Sequence, residues 1–303
     1  MMRRTIGRYT HGIEGPLLIV LSSIHGNEPA GLKGLDFLFK MLEVEPITNP
    51  QFQFAGELIG LIGNIEALKA NQRYIDKDLN RIWSDEIVYD PSIHELKEKK
   101  ELIETIKEAI EKIERKRIIV LDIHTTSSDG GIFTIPGKGE ASLEIARGLN
   151  APVVRDMIKD VKGTVMEYYN SDKLNLPIDS LTFEAGMHTD PLSINRAIAA
   201  IINCMKHLSM VNSNDVESIH DNILKNYSKG LPRVTRLLYR HKIEEGDHFT
   251  MNAGYLNFQP IEKGEPLAIH NGQVVTSPQK GRILMPLYQS KGNEGFYIIA
   301  VEE

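Results

Sequence analysis

The sequence has very little cysteine, and this scarcity is the first constraint on the protein. Cys204 is the one cysteine among 303 residues. It cannot form an internal disulfide, so we expect a protein of a reducing compartment that is held together by its core. Apolar runs of the ~20 residues that a membrane-spanning helix needs are also missing. The basic N-terminal residues lack the apolar segment and cleavage site of a signal peptide. These absences predict a cytoplasmic protein with no membrane partner.

An excess of positive charge is missing as well. The formal net charge is −6, whereas proteins that bind nucleic acid present a basic surface to the phosphates. We therefore expect no nucleic-acid partner. With 41% apolar and 25% charged residues, the composition is that of an ordinary globular protein. The length allows one large domain and a smaller one, and the sequence leaves the oligomeric state open, a homo-oligomer included.

The most informative stretch is a continuous apolar run, residues 17–21, which is followed by a short polar turn containing His25 and Glu28. A run of this kind predicts a strand that is buried on both faces, as in the middle of a parallel sheet. A helical pattern begins at Ala30. His25 and Glu28 should therefore lie at the carboxyl end of a central strand, where open α/β sheets bind their ligands.

Two later strands also end in residues that can bind metal or transfer protons. Residues 117–123 form a second buried run that leads into His124, and a strand at residues 181–186 contains Glu184 near its end. Asp122 lies two residues before His124, so both side chains should point to the same face of the strand. The ends of three strands would thus bring His25, Glu28, His124 and Glu184 to one edge of the sheet.

The element pattern predicts an α/β fold with a mixed, largely parallel sheet and flanking helices. Composition changes after residue 210, and short alternating runs separated by Gly and Pro replace the helices from residue 231 onward. We predict an α/β domain at 1–210, a linker at 211–230 and a smaller all-β C-terminal domain at 231–303. Two local features are also predicted. One is a loop at 43–50 around Pro46, and the other is a helix that is capped by Ser92 with Glu95 as its capping-box partner.

These residue types suit a catalytic zinc site. His25, Glu28 and His124 would supply three ligands and leave the fourth position open. Glu184 could act outside the ligand shell as general base and acid, and Asp122 could orient a ligand imidazole. Each residue alone has an ordinary explanation: His25 as a turn residue, Asp122 as a helix cap, or Glu184 as half of an ion pair. Their occurrence together at strand ends favours the site.

The segment from 71 to 83 supports a site because it places many polar groups in one loop without periodicity. Two arginines beside a metal suggest one donor to an oxyanion and one fork for a substrate carboxylate. A surface network of salt bridges is the alternative explanation.

Four motifs, HGNEP (25–29), RYIDKDLNR (73–81), DIHTTSS (122–128) and FEAG (183–186), together resemble the aspartoacylase and succinylglutamate desuccinylase family of zinc carboxypeptidase-like enzymes. The resemblance implies that His25, Glu28 and His124 bind Zn²⁺. It also implies that Glu184 is the general base and acid, and that Arg73 polarises the scissile carbonyl.

The same resemblance implies a substrate-binding set. Asn80 and Arg81 would hold the carboxylate of the amino acid, and Tyr297, in the segment NEGFY (293–297), would reach the substrate. One departure concerns substrate choice. Aspartoacylases have a further arginine about ten residues before the catalytic Glu, for the second carboxylate of their substrate, whereas this chain offers only Lys173 there.

We therefore predict a zinc-dependent hydrolase that cleaves the amide bond of an N-acyl amino acid or a similar small amide carrying a carboxylate. A zinc carboxypeptidase acting on short peptides is the nearest alternative, because it would use the same metal and the same Arg81 fork. An alternative of another class is an inactive binding protein on the same scaffold, which would hold no stoichiometric zinc.

Overall fold

The structure, a computed structural model, describes residues 2–111, 117–159, 161–212 and 219–302. In chain order its elements are β1 (Thr5–Tyr9), β2 (Ile13–Ser22), α1 (Ala30–Thr48), β3 (Ala55–Ile62), α2 (Ile65–Ala70), a 3₁₀ turn (Leu79–Arg81), α3 (His94–Glu111), β4 (Ile118–Thr126), β5 (Phe133–Pro136), α4 (Glu140–Gly148), β6 (Val153–Arg155), α5 (Val165–Tyr168), α6 (Ser171–Leu174), β7 (Ile178–Met187), α7 (Leu192–His207), α8 (Ile219–Tyr227), β8 (Val234–Lys242), β9 (Phe249–Met251), β10 (Pro260–Ile261), β11 (Pro266–His270), β12 (Gln273–Thr276), β13 (Gly281–Leu284) and β14 (Glu294–Val301).

The described strands form one large mixed sheet and one small antiparallel sheet. The large sheet has the order β1-β3-β2-β4-β7-β5-β6-β8-β14-β13-β10, and the small one has the order β12-β11-β9. Strands β3, β2, β4 and β7 run parallel, and β5 joins β7 in the antiparallel sense. This architecture confirms the predicted mixed α/β class with a smaller β unit from the C-terminal part.

Strand β2 is buried on both faces, as its continuous apolar run predicted. Leu18 and Val20 pack into a core that includes residues of α1 and α7. Leu17, Ile19 and Leu21 point to the opposite face and pack with residues of α3. Because both faces are covered, polar side chains can reach solvent only at the strand ends, which is where the turn after β2 lies.

Two local predictions were wrong. The predicted loop at 43–50 is helical as far as Thr48, with Pro46 inside α1. Pro46 lies so close to the end of the helix that its missing N–H removes only one late hydrogen bond, while the helix stays packed against α7. The other error is the predicted capping box: α3 begins at His94, and the Glu95 side chain bonds to a different part of the chain.

The C-terminal strands continue the large sheet. Val153 of β6 pairs with Val234 of β8, and β14, β13 and β10 follow in turn. The division into domains at 210 and 231 stays a prediction, and residues 213–218 of the predicted linker lie outside the described ranges. Across the ranges that are described, no helix is long and apolar enough to span a membrane.

Candidate active site

Three buried side chains converge at the carboxyl ends of β2 and β4. His25 Nδ1 lies 2.9 Å from Glu28 Oε1, and His124 Nδ1 lies 3.0 Å from Glu28 Oε2. One ligand atom from each of the three residues lies within 4.8 Å of the other two. Each side chain is at most 5% exposed. The donor set is therefore two imidazole nitrogens and one carboxylate, facing a common point.

The outer nitrogen of each histidine is fixed by an aspartate. Nε2 of His25 donates to Asp78 Oδ1 at 3.1 Å, and Nε2 of His124 donates to Asp122 Oδ2 at 2.7 Å. Such carboxylates set the tautomer and ring orientation of metal-binding histidines. Asp122 was predicted for this position. The role of Asp78 was missed because its partner is 53 residues away and no local pattern joins them.

The turn after β2 is shaped by a close approach of the backbone. A Cβ on Gly26 would lie 2.1 Å from the carbonyl carbon of Ala67, so no larger residue fits without moving α2. The Gly26 N–H donates to the Arg73 carbonyl at 3.2 Å, which ties the turn to residues 71–83, the arginine loop. The Thr125 N–H donates to Glu28 Oε2 at 3.0 Å and orients that carboxylate from β4.

Glu184 lies directly beside His124 on the neighbouring strand. The two residues are register partners in the parallel pairing of β4 with β7. Burial, reinforced by the charges of Glu28 and Asp122, raises the pKa of Glu184 to about 8, although His124 acts in the opposite direction. Its Oε2 is buried and has no hydrogen-bond partner among the described residues. The carboxyl group thus presents an unpaired oxygen next to the donor cluster.

The Glu95 carboxylate holds the arginine loop by hydrogen bonds to its backbone. The backbone N–H groups of Ile75, Asp76 and Lys77 all donate to it, at 2.7–3.0 Å. Asp78 then caps the 3₁₀ turn by accepting from the Asn80 N–H at 2.8 Å. These bonds fix a loop that, apart from this 3₁₀ turn, has no regular secondary structure.

Both arginines of the loop face the site, and each has an acidic partner. Arg73 Nη2 lies 3.1 Å from Asp78 Oδ2, and its Nη1 lies 3.5 Å from Glu28 Oε1. Arg81 Nη2 donates to Glu294 Oε2 at 2.7 Å. Arg81 Nε is buried and, within the described ranges, has no partner. Glu294, for which the sequence predicted no role, therefore belongs to the site.

The predicted site residues border one cleft with two lobes. His25, Arg73, Arg81, His124, Glu184 and Tyr297 line both lobes, Glu28 lines one, and Asn80 lines the other. Asp122 lies behind His124. The Asn80 side-chain oxygen accepts from the Val165 N–H at 3.0 Å, which fixes the orientation of its amide.

Lys173, in contrast, lies elsewhere. Its Nζ is 3.0 Å from Asp85 and 4.5 Å from the centre of the Tyr168 ring. It lines neither lobe of the cleft. Lys173 therefore does not take the place of the further arginine that the sequence comparison with aspartoacylases led us to look for.

Known proteins resemble this chain in sequence. The family model described as the succinylglutamate desuccinylase/aspartoacylase catalytic domain matches residues 14–208. A succinylglutamate desuccinylase of Pseudomonas fluorescens is 23% identical over 279 residues, which is 89% of this chain and 78% of that protein.

Solved structures share the fold. A succinylglutamate desuccinylase of Vibrio parahaemolyticus superposes with a TM-score of 0.66 at 18% identity, over 96% of this chain and 83% of that one. The product-bound ectoine utilization protein EutE of Ruegeria pomeroyi gives 0.65 at 16% identity, over 97% and 87%.

Proposed function

The chain belongs to the succinylglutamate desuccinylase and aspartoacylase family of deacylating hydrolases, and from this premise we propose that it is a zinc-dependent enzyme that cleaves the amide bond of an N-acyl amino acid. The observation that carries the proposal is the convergence of His25, Glu28 and His124 with Glu184 beside them. We propose a cytoplasmic enzyme with a small carboxylate-bearing substrate.

The donor set fits zinc. Two imidazole nitrogens and a carboxylate are its common ligands in catalytic sites, and the aspartates behind both histidines keep Nδ1 available for binding. His25, Glu28 and His124 would hold the ion. The chemistry that zinc would supply there is polarisation of the scissile carbonyl and a lower pKa for a bound water molecule.

The protein supplies the proton transfer and the charge stabilisation. Because Glu184 lies beside His124 and has an unpaired oxygen, its carboxylate can take a proton from the attacking water and return it to the leaving nitrogen. Arg73 lies at the edge of the donor cluster, so its guanidinium can stabilise the negative charge that develops on the carbonyl oxygen.

The substrate carboxylate would bind between Asn80 and Arg81. The unpartnered Nε of Arg81 supports this role, because it is a buried donor that lines the cleft and has no protein acceptor within the described residues. Glu294 holds the far side of the guanidinium and fixes its orientation. Tyr297 lines the same lobe as Arg81 and would contact the substrate there.

Metal content tests the first part of the proposal. We expect about one zinc per chain by mass spectrometry of the purified protein. His124→Ala should lose most of it, whereas His207→Ala, at the exposed end of α7, should keep it. Full zinc content in His124→Ala would remove His124 from the ligand set.

Turnover tests the second part. N-acetyl amino acids should release free amino acid, and dipeptides with free N-termini should not react. Preferential cleavage of the dipeptides would instead identify a carboxypeptidase, and a protein that holds no zinc and turns over neither class would fit the inactive binding role.

A further inference from the structure

One lobe of the cleft is mostly apolar, although it adjoins the metal-binding residues. Its volume is about 90 Å³. The polar end is formed by the donor histidines, the two arginines and Glu184. The remaining wall combines Asn80, Thr164, Thr182 and Tyr297 with six apolar side chains from β5, from the segment after β6, from α5 and from the segment after β13: Ile135, Met157, Ile158, Val161, Met166 and Met285.

The threonine hydroxyls in this wall already have partners. The Thr182 hydroxyl donates to the Met166 sulfur at 2.6 Å, and the Thr164 hydroxyl accepts from the Glu167 N–H at 3.1 Å. Each guanidinium has an acidic partner, and the remaining Nε of Arg81 is already assigned to the amino-acid carboxylate. Within the described residues, no lysine lines the lobe. A second negative charge on the substrate would therefore find no cation of its own here.

The position of Asn80 indicates which part of the substrate enters. Asn80 lines only this lobe, and it belongs to the proposed carboxylate-binding pair. In an N-acyl amino acid, the side chain and the carboxylate are attached to the same carbon. We propose that this lobe binds the amino-acid side chain, and that the enzyme selects N-acyl derivatives of small apolar amino acids. This specificity rests on the hydrolase function proposed above.

Size and charge support the same assignment. A cavity of about 90 Å³ corresponds to roughly three water molecules at ~30 Å³ each, which is enough for a short aliphatic group. Three methionines make the wall adaptable, so a slightly larger apolar group can enter. A carboxylate would lose its hydration beside Glu184 and against apolar carbon. We expect it to be rejected by a factor of about 100 or more.

Binding and turnover should be measured separately. With zinc-loaded Glu184→Gln and calorimetry, N-acetyl-L-valine should bind at least about 100-fold more tightly than N-acetyl-L-aspartate. Equal or tighter binding of the aspartate derivative overturns the inference, as does failure of both probes to bind at millimolar concentration. If acetylvaline binds but the wild type does not hydrolyse it, the hydrolase proposal fails while the assignment of the lobe stands.

A charge placed in the lobe gives a second test. Ile158→Lys should raise the ratio of kcat/KM for acetylaspartate to that for acetylvaline by about 10-fold or more. Val274→Lys, the same kind of change on exposed β12, should leave the ratio as in the wild type. If Ile158→Lys does not fold, Met157→Ala should favour acetylleucine over acetylvaline by enlarging the lobe. If the variant that folds shows the same ratio of kcat/KM for its two substrates as the wild type, the assignment of the lobe is refuted.

Discussion

Glu95 offers the sharpest test of how the arginine loop is built. This side chain is fully buried on α3, and its carboxylate accepts four hydrogen bonds. One comes from the Asn64 amide at 3.0 Å, and three come from consecutive backbone N–H groups of the loop, at residues 75–77. Glu95→Gln keeps the size of the side chain but replaces one acceptor oxygen by an NH₂ group that faces donors.

The magnitude follows from those four bonds. A hydrogen bond to a charged group contributes roughly 1.5–3 kcal/mol net, and such contributions are not additive within one cluster. Asp76 and Lys77 are exposed, so water can compensate part of the loss at their N–H groups. We expect Glu95→Gln to lower the free energy of unfolding by about 3 kcal/mol. Displacement of the loop would also move Arg73 and lower kcat/KM by roughly 10²-fold, since small misplacements of a positioned group have effects of that size.

The assay compares Glu95→Gln with Glu104→Gln, which makes the same change on the exposed face of the same helix. Urea unfolding and kcat/KM should be affected only in Glu95→Gln. The zinc content should fall much less than the activity, because the three proposed ligands lie outside the loop. Among the groups that contact those ligands, Asp78 behind His25 belongs to the loop. Identical stability and activity in the two variants would show that the carboxylate does not position the arginine loop.

Three further outcomes are expected. Glu184→Gln should keep its zinc but lose about 10²–10⁴-fold in kcat, and loss of the metal with the activity would make Glu184 a ligand. Gly26→Ala should lower the free energy of unfolding by about 1–3 kcal/mol, because the new Cβ meets the Ala67 backbone; an unchanged Tm would contradict this. Burial and His270 lower the pKa of His241, so the imidazole binds a proton more readily in the unfolded chain than in the folded one. The free energy of unfolding should therefore fall as pH drops below about 6.5. His241→Phe should weaken this pH dependence in urea unfolding, and an undiminished dependence would assign it to other groups.

Much of the core of the sheet could be predicted from local pattern. The apolar runs before His25 and His124 are long enough and continuous enough that only a strand buried on both faces satisfies them. The residues that follow such strands must lie at the edge of a parallel sheet, so the grouping of His25, Glu28, His124 and Glu184 was predictable. Their roles in catalysis stay predictions.

Breaker residues were less reliable than strand patterns. Pro46 predicted a loop, yet α1 continues to Thr48 because packing against α7 compensates for one missing hydrogen bond. Ser92 and Glu95 have the spacing of a capping box, but the Glu95 carboxylate is used by backbone donors about twenty residues earlier in the chain. A local motif cannot show that a distant segment competes for the same side chain.

The sequence by itself determined the buried strands, the residues at their ends and hence the position of the proposed metal site, because those features depend on hydrophobic period and strand direction alone. The tertiary structure alone decided which side chains act on those residues from a distance. Asp78 behind His25, Glu294 on Arg81 and the apolar wall from Ile135 to Met285 join segments that are 53 to more than 200 residues apart. Such pairings depend on how the sheet order and the loops bring those segments together, and no periodicity within a segment contains that information.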